Sequence, residues 1–406
     1  MRSTAIILLG QAIWAVAQAL MVLAVARAGG LELVGLLVLG LAIFTPACLG
    51  TGFNLRALIA IDDADAIDIR MALWWRAWSI IFALAGTALV LALVAGTIGR
   101  DWLAATLLVA SRASDQSADI TTGWYQRANR HTRIGWSFGL RGLASILPIA
   151  GVVLFGGGIV LGATLTLITT LLVHIVADIS PILKAAPLRP RTPATTFLRR
   201  LGSGLKSAPY PLLDSLYASS IRYAAAALLG TQLVGLIGIA QTLYAPIQLL
   251  ISAIAFRYLT RTRALVVANR RAEQKTLLMQ SLVFGLAVGA GFFAASVAFP
   301  IEWLTQSFST ESPPLRPALI AIAAMSLPLP MISFLGHYLT ANCLFSTQII
   351  SILVAGGTAA IILTASFLLP GKPSLAHIVL AFLSGTSARF FICLYGALRD
   401  YKDQDS

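Results

Sequence analysis

The chain has 406 residues, 58% of them hydrophobic and only 11% charged, which lies well outside the soluble globular range. Apolar stretches of about 20 residues recur from end to end, each long enough to cross a hydrocarbon core of roughly 30 Å, and the short alternating strands of a membrane β-barrel are missing. The net charge of +13 sits mostly in short loops, concentrated in alternate ones, which signals membrane orientation and attraction to anionic membrane lipids rather than nucleic-acid binding.

Twelve spans are predicted. The first covers residues 4–26; it is longer than a signal-peptide core and another span follows at once, so it is read as a retained helix. Gly29-Gly30 turns the chain into the second, 33–55. The acidic loop IDDADAIDIR (61–70) has a DxD-like spacing, but without a Gly-rich ligand loop it reads as a solvated turn. Span three is 77–97, and Arg100-Asp101 leads into span four. Span five (134–154) carries Arg141, Gly156-Gly157-Gly158 make a tight turn, and span six (159–183) holds His174 and Asp178.

Residues 184–206, KAAPLRPRTPATTFLRRLGSGLK, form a basic, Pro-containing cytoplasmic linker. It divides an N-terminal six-helix lobe (1–183) from a C-terminal one (207–398), which is followed by a polar tail (399–406). Span seven, 207–229, contains Pro209, Pro211, Asp214 and Arg222, making it polar and prone to kinking. Spans eight to twelve are 233–254, 277–299, 318–339, 347–369 and 375–398; Pro328 and Pro330 should kink span ten, and span twelve carries Arg389. The even-numbered loops and termini hold 21 of the 29 basic residues, against four in the odd-numbered loops and four within spans. That split places both termini in the cytoplasm of a multi-pass inner (plasma) membrane protein.

Span four is the most unusual stretch. Within AATLLVASRASDQSADITTGWYQRANRHTR (104–133), Arg112, Asp115, Asp119, Thr122 and Gln126 follow one another at intervals of three, four, three and four, so a helix sets them in one stripe. Facing lipid, the stripe would be very costly. It must face other helices or a water-filled cavity, and intramembrane ionisable residues mark functional sites by default.

Sliding the sequence against itself by 200 residues matches Ala24, Ala26, Gly30, Leu33-Val34-Gly35-Leu36, Pro46 and Leu49 with Ala224, Ala226, Gly230, Leu233-Val234-Gly235-Leu236, Pro246 and Leu249, nine identities in 26 columns. Six helices, an even number, separate the copies, so the repeat is parallel. The expected fold is an all-α polytopic membrane protein in which two six-helix lobes enclose a central cleft, an arrangement suited to alternating access by rocking of the lobes.

The intramembrane arginines Arg112, Arg141, Arg222 and Arg389 and aspartates Asp115, Asp119, Asp178 and Asp214 admit two readings. In one they are internal pairs that fix packing, as Arg112 with Asp115 and Asp119, or Asp214 with Arg222. In the other, arginines line the cleft and grip an anionic group such as a phosphate, a role suited to a bidentate fork that stays charged. Asp115, Asp119 and Asp214 are then the candidates for ion coupling. His174 and His337 are each read as packing histidines, with proton relay as the alternative. Trp124, Tyr125 and Trp136 read as interfacial anchors, and Gln126-Arg127 as a headgroup contact or as ordinary flanking residues. Cys48, Cys343 and Cys393 read as small buried hydrophobes. No Walker lysine motif, zinc spacing or large catalytic loop is present, so no enzymatic activity and no cofactor are expected.

Three segments carry a family likeness: SRASDQSADITTGWYQRANRHTRIGWSFGLRG, GLKSAPYPLLDSLYASSIRYAAAALLGTQLVGLIGIAQTLYAPIQLL, and GLELVGLLVLGLAIFTPACLGTGFNLRALIA. Together they resemble a Wzx-type polysaccharide flippase of the multidrug/oligosaccharidyl-lipid/polysaccharide exporter superfamily. The resemblance implies a transporter that moves undecaprenyl-diphosphate-linked oligosaccharide from the cytoplasmic to the periplasmic leaflet, with Arg112, Arg141, Arg222, Arg389 and Gln126 meeting the substrate. A polysaccharide polymerase and glycosyltransferases are the implied partners. The length leaves no extra helices, which disfavours the fourteen-helix lipid II flippase branch, and Ile221 precedes Arg222 where an acid would complete a family-style ion pair. A proton- or sodium-coupled multidrug antiporter of the same superfamily is the first alternative, and a non-transporting membrane subunit of a polysaccharide assembly complex the second.

Overall fold

A computed structural model describes residues 2–53, 55–60, 67–96, 98–128, 130–185, 209–298, 315–342, 344–368 and 374–403. Most of the acidic loop, the linker beyond Ala185, Cys343 and the end of the tail lie outside these residues. Every regular element is helical: α1 (Arg2–Thr51), α2 (Leu55–Ala60), α3 (Ile69–Ala95), α4 (Arg100–Ser111), α5 (Ala113–Arg127), α6 (His131–Leu154), α7 (Ile159–Val173), a π-helical turn (His174–Ile179), α8 (Ser180–Ala185), α9 (Pro209–Leu229), α10 (Thr231–Val267), α11 (Arg271–Ala298), α12 (Leu315–Ser326), α13 (Leu329–Ala341), α14 (Phe345–Ser366) and α15 (Leu375–Asp403).

Gly30 is non-helical and bends α1 into two limbs. The pair α4–α5 continues through a turn at Arg112, α7 continues through the π-turn into α8, and α12 breaks into α13 at Pro328. Counted as continuous rods, with the short α2 set aside, the described residues make twelve. Eight helices meet the length and apolarity needed for a membrane crossing, and one of them, Ala5–Thr51, is 47 residues long and so has length for two. Tertiary contacts divide the chain into two units, Met1–Ser219 and Ser220–Ser406.

The surface is apolar. On α3, Trp74, Trp78, Phe82, Leu89 and Leu93 are exposed at helical spacing, and Leu154, Phe155 and Leu368 are more exposed still. Water would make such faces aggregate, whereas lipid solvates them. The interior carries the polar groups instead. In the first unit, Ser137, Arg141 and Ser145 of α6 are buried at intervals of four, as are Thr166, Thr170, His174 and Asp178 along the next rod.

Close backbone approach holds α1 against α6. A Cβ on Gly10 would collide with the Gly135 carbonyl, one on Gly135 with the Ile6 carbonyl, and one on Gly142 would come within 2.8 Å of the Trp14 Cα. Without a hydrophobic drive between helices in lipid, such small-residue contacts supply the packing. At one end of the unit, Leu55 and Ile59 of α2 join Ile120, Tyr125, Ile134 and Ile182 in a hydrophobic cluster. In the second unit, the corresponding mass is Ile251, Tyr258, Leu278, Phe334, Leu335, Tyr338 and Leu339, with the Tyr258 and Phe334 rings 5.5 Å apart edge to face.

The 200-residue repeat reappears in backbone geometry. Gly30 has φ 71° and ψ −174°, and Gly230 has φ 87° and ψ 172°. Both lie in a region essentially restricted to glycine. Burial repeats as well: residues 34–40 and 234–240 are all buried, while Glu32 and Gln232 are exposed. Two expectations need correction. Pro209 opens α9 and Pro211 lies in its first turn, where proline fits the helix without kinking it. Tyr125 is 1% exposed, so it is a core residue and not an interfacial anchor.

Gly30→Ala and Gly230→Ala should each destabilise the protein by about 1–3 kcal/mol through the backbone alone, since a Cβ at either position would touch nothing within 4 Å. Gly86→Ala, in open space with an ordinary helical backbone, should be neutral or stabilising. Unfolding in detergent compares the three.

Candidate functional site

Arg112 ends α4 and precedes α5: its N–H donates to the Val109 carbonyl, 3.0 Å, and its carbonyl accepts from Asp115 and Gln116, both 3.1 Å. This turn brings the Arg112 side chain back onto its own rod. Arg112 Nη1 donates to Asp115 Oδ2, 3.1 Å, and Arg141 Nη1 reaches Asp115 Oδ1 at 2.5 Å from α6. Trp14 Nε1 donates to the same Oδ1 at 3.2 Å, placed there by the glycine contacts between α1 and α6. The Arg112 guanidinium also lies 5.8 Å from the centre of the Trp14 ring, and that of Arg141 lies 5.1 Å from Phe138.

Arg141 has a second anion. Its Nε is 3.6 Å from Asp178 Oδ2, which also meets His174 Nδ1 at 2.9 Å. The Tyr125 hydroxyl donates to the Asp178 backbone carbonyl, 3.3 Å, across the π-turn. Arg141, Asp178 and His174 are each no more than 3% exposed. Two arginines and two aspartates compensate one another, which is what permits their burial in an apolar bundle.

A second cluster lies further along α5. Arg76 Nε donates to the Gln116 carbonyl (2.8 Å), its Nη2 to Gln116 Oε1 (3.1 Å) and its Nη1 to the Cys48 carbonyl (2.6 Å). The guanidinium thereby ties α1, α3 and α5 together. Asp119 lies 3.7 Å from Arg76 and 3.8 Å from Arg56, and is 38% exposed. It is an open carboxylate facing two cations.

In the second unit, Arg222 donates from Nε (2.8 Å) and Nη2 (2.6 Å) to Gln241 Oε1. Among the described residues no carboxylate pairs with it. Arg389 is buried within α15, and Asp214 is half-buried on α9, as is Gln126 at the end of α5. The predicted site residues thus resolve into a tight cluster of Arg112, Asp115 and Arg141, a separate Asp119 flanked by Arg56 and Arg76, and Arg222 with its amide. Among the described residues no group of three or more His, Cys, Asp or Glu side chains could hold a metal ion.

Sequence reasoning missed Arg76, Trp14 and the alignment of Thr166 and Thr170 with His174 and Asp178. In the sequence Arg76 precedes the apolar run, which starts at Ala77. The helix in fact starts at Ile69, where the Asp68 carboxylate caps the Arg70 and Met71 N–H groups at 2.7 and 3.3 Å; counting from that cap places Arg76 two turns inside. The alignment was visible as Thr166, Thr170, His174 and Asp178 at intervals of four.

No protein-family model matches the chain, and no curated protein matches it. Solved structures do. An outward-facing multidrug resistance MATE family transporter of the MOP superfamily aligns with TM-score 0.67 at 13% identity, covering 100% of this chain and 96% of that one. An inward-facing conformation of such a transporter gives 0.68 at 16% identity, with 99% and 96% covered. A MOP superfamily transporter from Pyrococcus furiosus Vc1 (DSM3638), whose binding pocket is described as of reverse polarity and suggestive of a different function, gives 0.69 at 15% identity, with 100% and 96% covered. At these identities the likeness shows the fold, an all-helical membrane architecture shared over the whole length.

Arg141→Met removes a cation shared by the buried Asp178 and the half-buried Asp115 and should cost about 3–5 kcal/mol of stability. Adding Asp178→Asn should recover part of the loss, because Asp115 keeps Arg112 and Asp178 is no longer charged. Unfolding of the single and double variants in detergent measures both, and a double variant no better than the single would show that the ion pair is not what holds α6 to the π-turn.

Proposed function

We propose that the protein is a membrane transporter working by alternating access, that its substrate is anionic, and that this substrate is an undecaprenyl-diphosphate-linked oligosaccharide moved from the cytoplasmic to the outer leaflet. The observation that carries the anionic reading is Arg222, an arginine within an apolar rod whose bonded partner is the neutral Gln241 amide. A guanidinium so held keeps its full charge and its fork geometry, which suits the oxygens of a diphosphate. Three aspartates of the first unit point the same way. Asp115, Asp119 and Asp178 each face at least one arginine, so they offer a cationic solute little uncompensated charge.

The apolar exterior, the twelve rods and the likeness to transporters solved in outward-facing and inward-facing conformations support the transport reading. The distribution of basic residues supports cytoplasmic termini in a plasma membrane, and polysaccharide polymerases and glycosyltransferases are the partners such a substrate entails. The reaction is translocation, with no covalent chemistry. A second reading, export of cationic drugs, draws on the multidrug description of the two transporters just cited and on the 38% exposure of Asp119.

Binding to the purified protein separates the two. Arg222→Gln should weaken binding of a short-chain polyprenyl diphosphate about 10- to 100-fold, the worth of a charge-assisted hydrogen bond, and Gln241→Glu should weaken it too by supplying an internal counter-anion. Ethidium binding should be unaffected by either change. Unaltered diphosphate binding in Arg222→Gln, or ethidium binding abolished by Asp119→Asn, would overturn the anionic reading.

A further inference from the structure

The inner face of the α7 rod ends in a half-satisfied histidine. His174 is 3% exposed; its Nδ1 is bonded to Asp178 Oδ2 at 2.9 Å, while its Nε2 is buried with no hydrogen-bond partner. It opens the π-turn, a helix irregularity frequent at functional sites. The groups that face it are Asp178 from its own rod, Arg141 from α6, and Tyr125 from α5, with Asp115 and Arg112 behind Arg141. Arg130 and Arg133 follow Tyr125 closely along the chain, and Lys184 at the end of α8 is exposed.

We propose that His174 Nε2 is a proton-binding site, and that the proton it takes switches the buried ion network of the first unit from neutral to a net charge of +1. The bonding selects this group. Asp115 and Asp178 each face arginine, so a proton on either carboxylate would disrupt an ion pair, whereas the buried Nε2 has no partner to displace. With Nδ1–H donating to Asp178, the lone pair lies on Nε2, and hydronium gives up its proton there to leave water and an imidazolium.

The consequences follow along the bonded chain. An imidazolium holds Asp178 Oδ2 more strongly than a neutral ring does and competes with Arg141 Nε, whose contact with that oxygen is already 3.6 Å long. Arg141 is thereby turned toward Asp115, the carboxylate that also accepts from Trp14. The new Nε2–H has no acceptor in the resting packing, and an unsatisfied buried donor is unfavourable. The protonated state therefore repacks at the π-turn, where the Tyr125 hydroxyl holds the backbone. The proposal does not depend on which substrate is carried.

The test uses the full chain, labelled with 15N at histidine and tryptophan, in lipid nanodiscs. The four histidines are His131, His174, His337 and His377; substituting the other three with glutamine, one at a time, assigns His174 by elimination without altering it. Trp14→Phe assigns the Trp14 indole. As the medium is acidified, the His174 nitrogens should pass from the neutral Nδ1–H form to the imidazolium, and the Trp14 indole should shift with the same midpoint. Asp178→Asn should abolish the Trp14 response by cutting the link between ring and arginine. A His174 ring that stays neutral throughout overturns the proposal, as does protonation that leaves Trp14 unmoved or a Trp14 response that survives Asp178→Asn. None of these readouts involves transport, so failure of the substrate reading and failure of the proton site are separately visible.

Discussion

Charge compensation inside an apolar bundle is the constraint on which the first unit depends. A guanidinium or carboxylate among lipid-facing helices is tolerated only when it is paired and hydrogen-bonded, and Arg141 meets this condition for three rods at once. It lies on α6, takes Asp115 from α5 and Asp178 from the π-turn, and is 2% exposed. The glycine contacts between α1 and α6 serve the same end, because they bring Trp14 close enough to add a third donor to Asp115. Arg76 does for α1, α3 and α5 what Arg141 does for its neighbours, though mostly through backbone and amide oxygens.

The two halves of the repeat agree in backbone and differ in charge. Gly30 and Gly230 share a conformation that glycine alone adopts readily, and the seven residues from Val34 and from Val234 are buried alike. These are requirements of the fold and they survive duplication. Arg222 and Gln241, by the same offset, stand where the first half has Val22 and Leu41. The first unit keeps its ions in balance around Arg141. The second places an arginine against an amide. A shared scaffold has thus acquired separate electrostatic tasks in its two copies.

What the sequence disclosed follows from what is local. The turn at Gly30, the Arg112–Asp115 pair at three residues' spacing and the break at Pro328 are set by neighbours along the chain, and each was legible. The Arg141–Asp115 contact spans 26 residues and Trp14–Asp115 spans 101; no helical period encodes them, since they arise from which faces of α1, α5 and α6 meet. Tyr125 illustrates the limit. An aromatic near a span end ordinarily marks the lipid–water boundary, but α2 folds over this one and the π-turn supplies a carbonyl for its hydroxyl. The π-turn itself has no sequence signature beyond the polar stripe that leads into it.

The nature of Arg222's partner bears directly on what the second unit could hold. An acid beside it would form an internal pair, and an incoming anion would have to break that pair before binding. Gln241 accepts two hydrogen bonds through one oxygen and so fixes the guanidinium plane while leaving its charge intact. Nη1 has no partner among the described residues. Orientation without neutralisation is preorganisation: the side chain is ordered in advance, so an oxyanion presented to it would meet a donor already aligned. In the first unit, by contrast, Arg112 and Arg141 are each paired with a carboxylate.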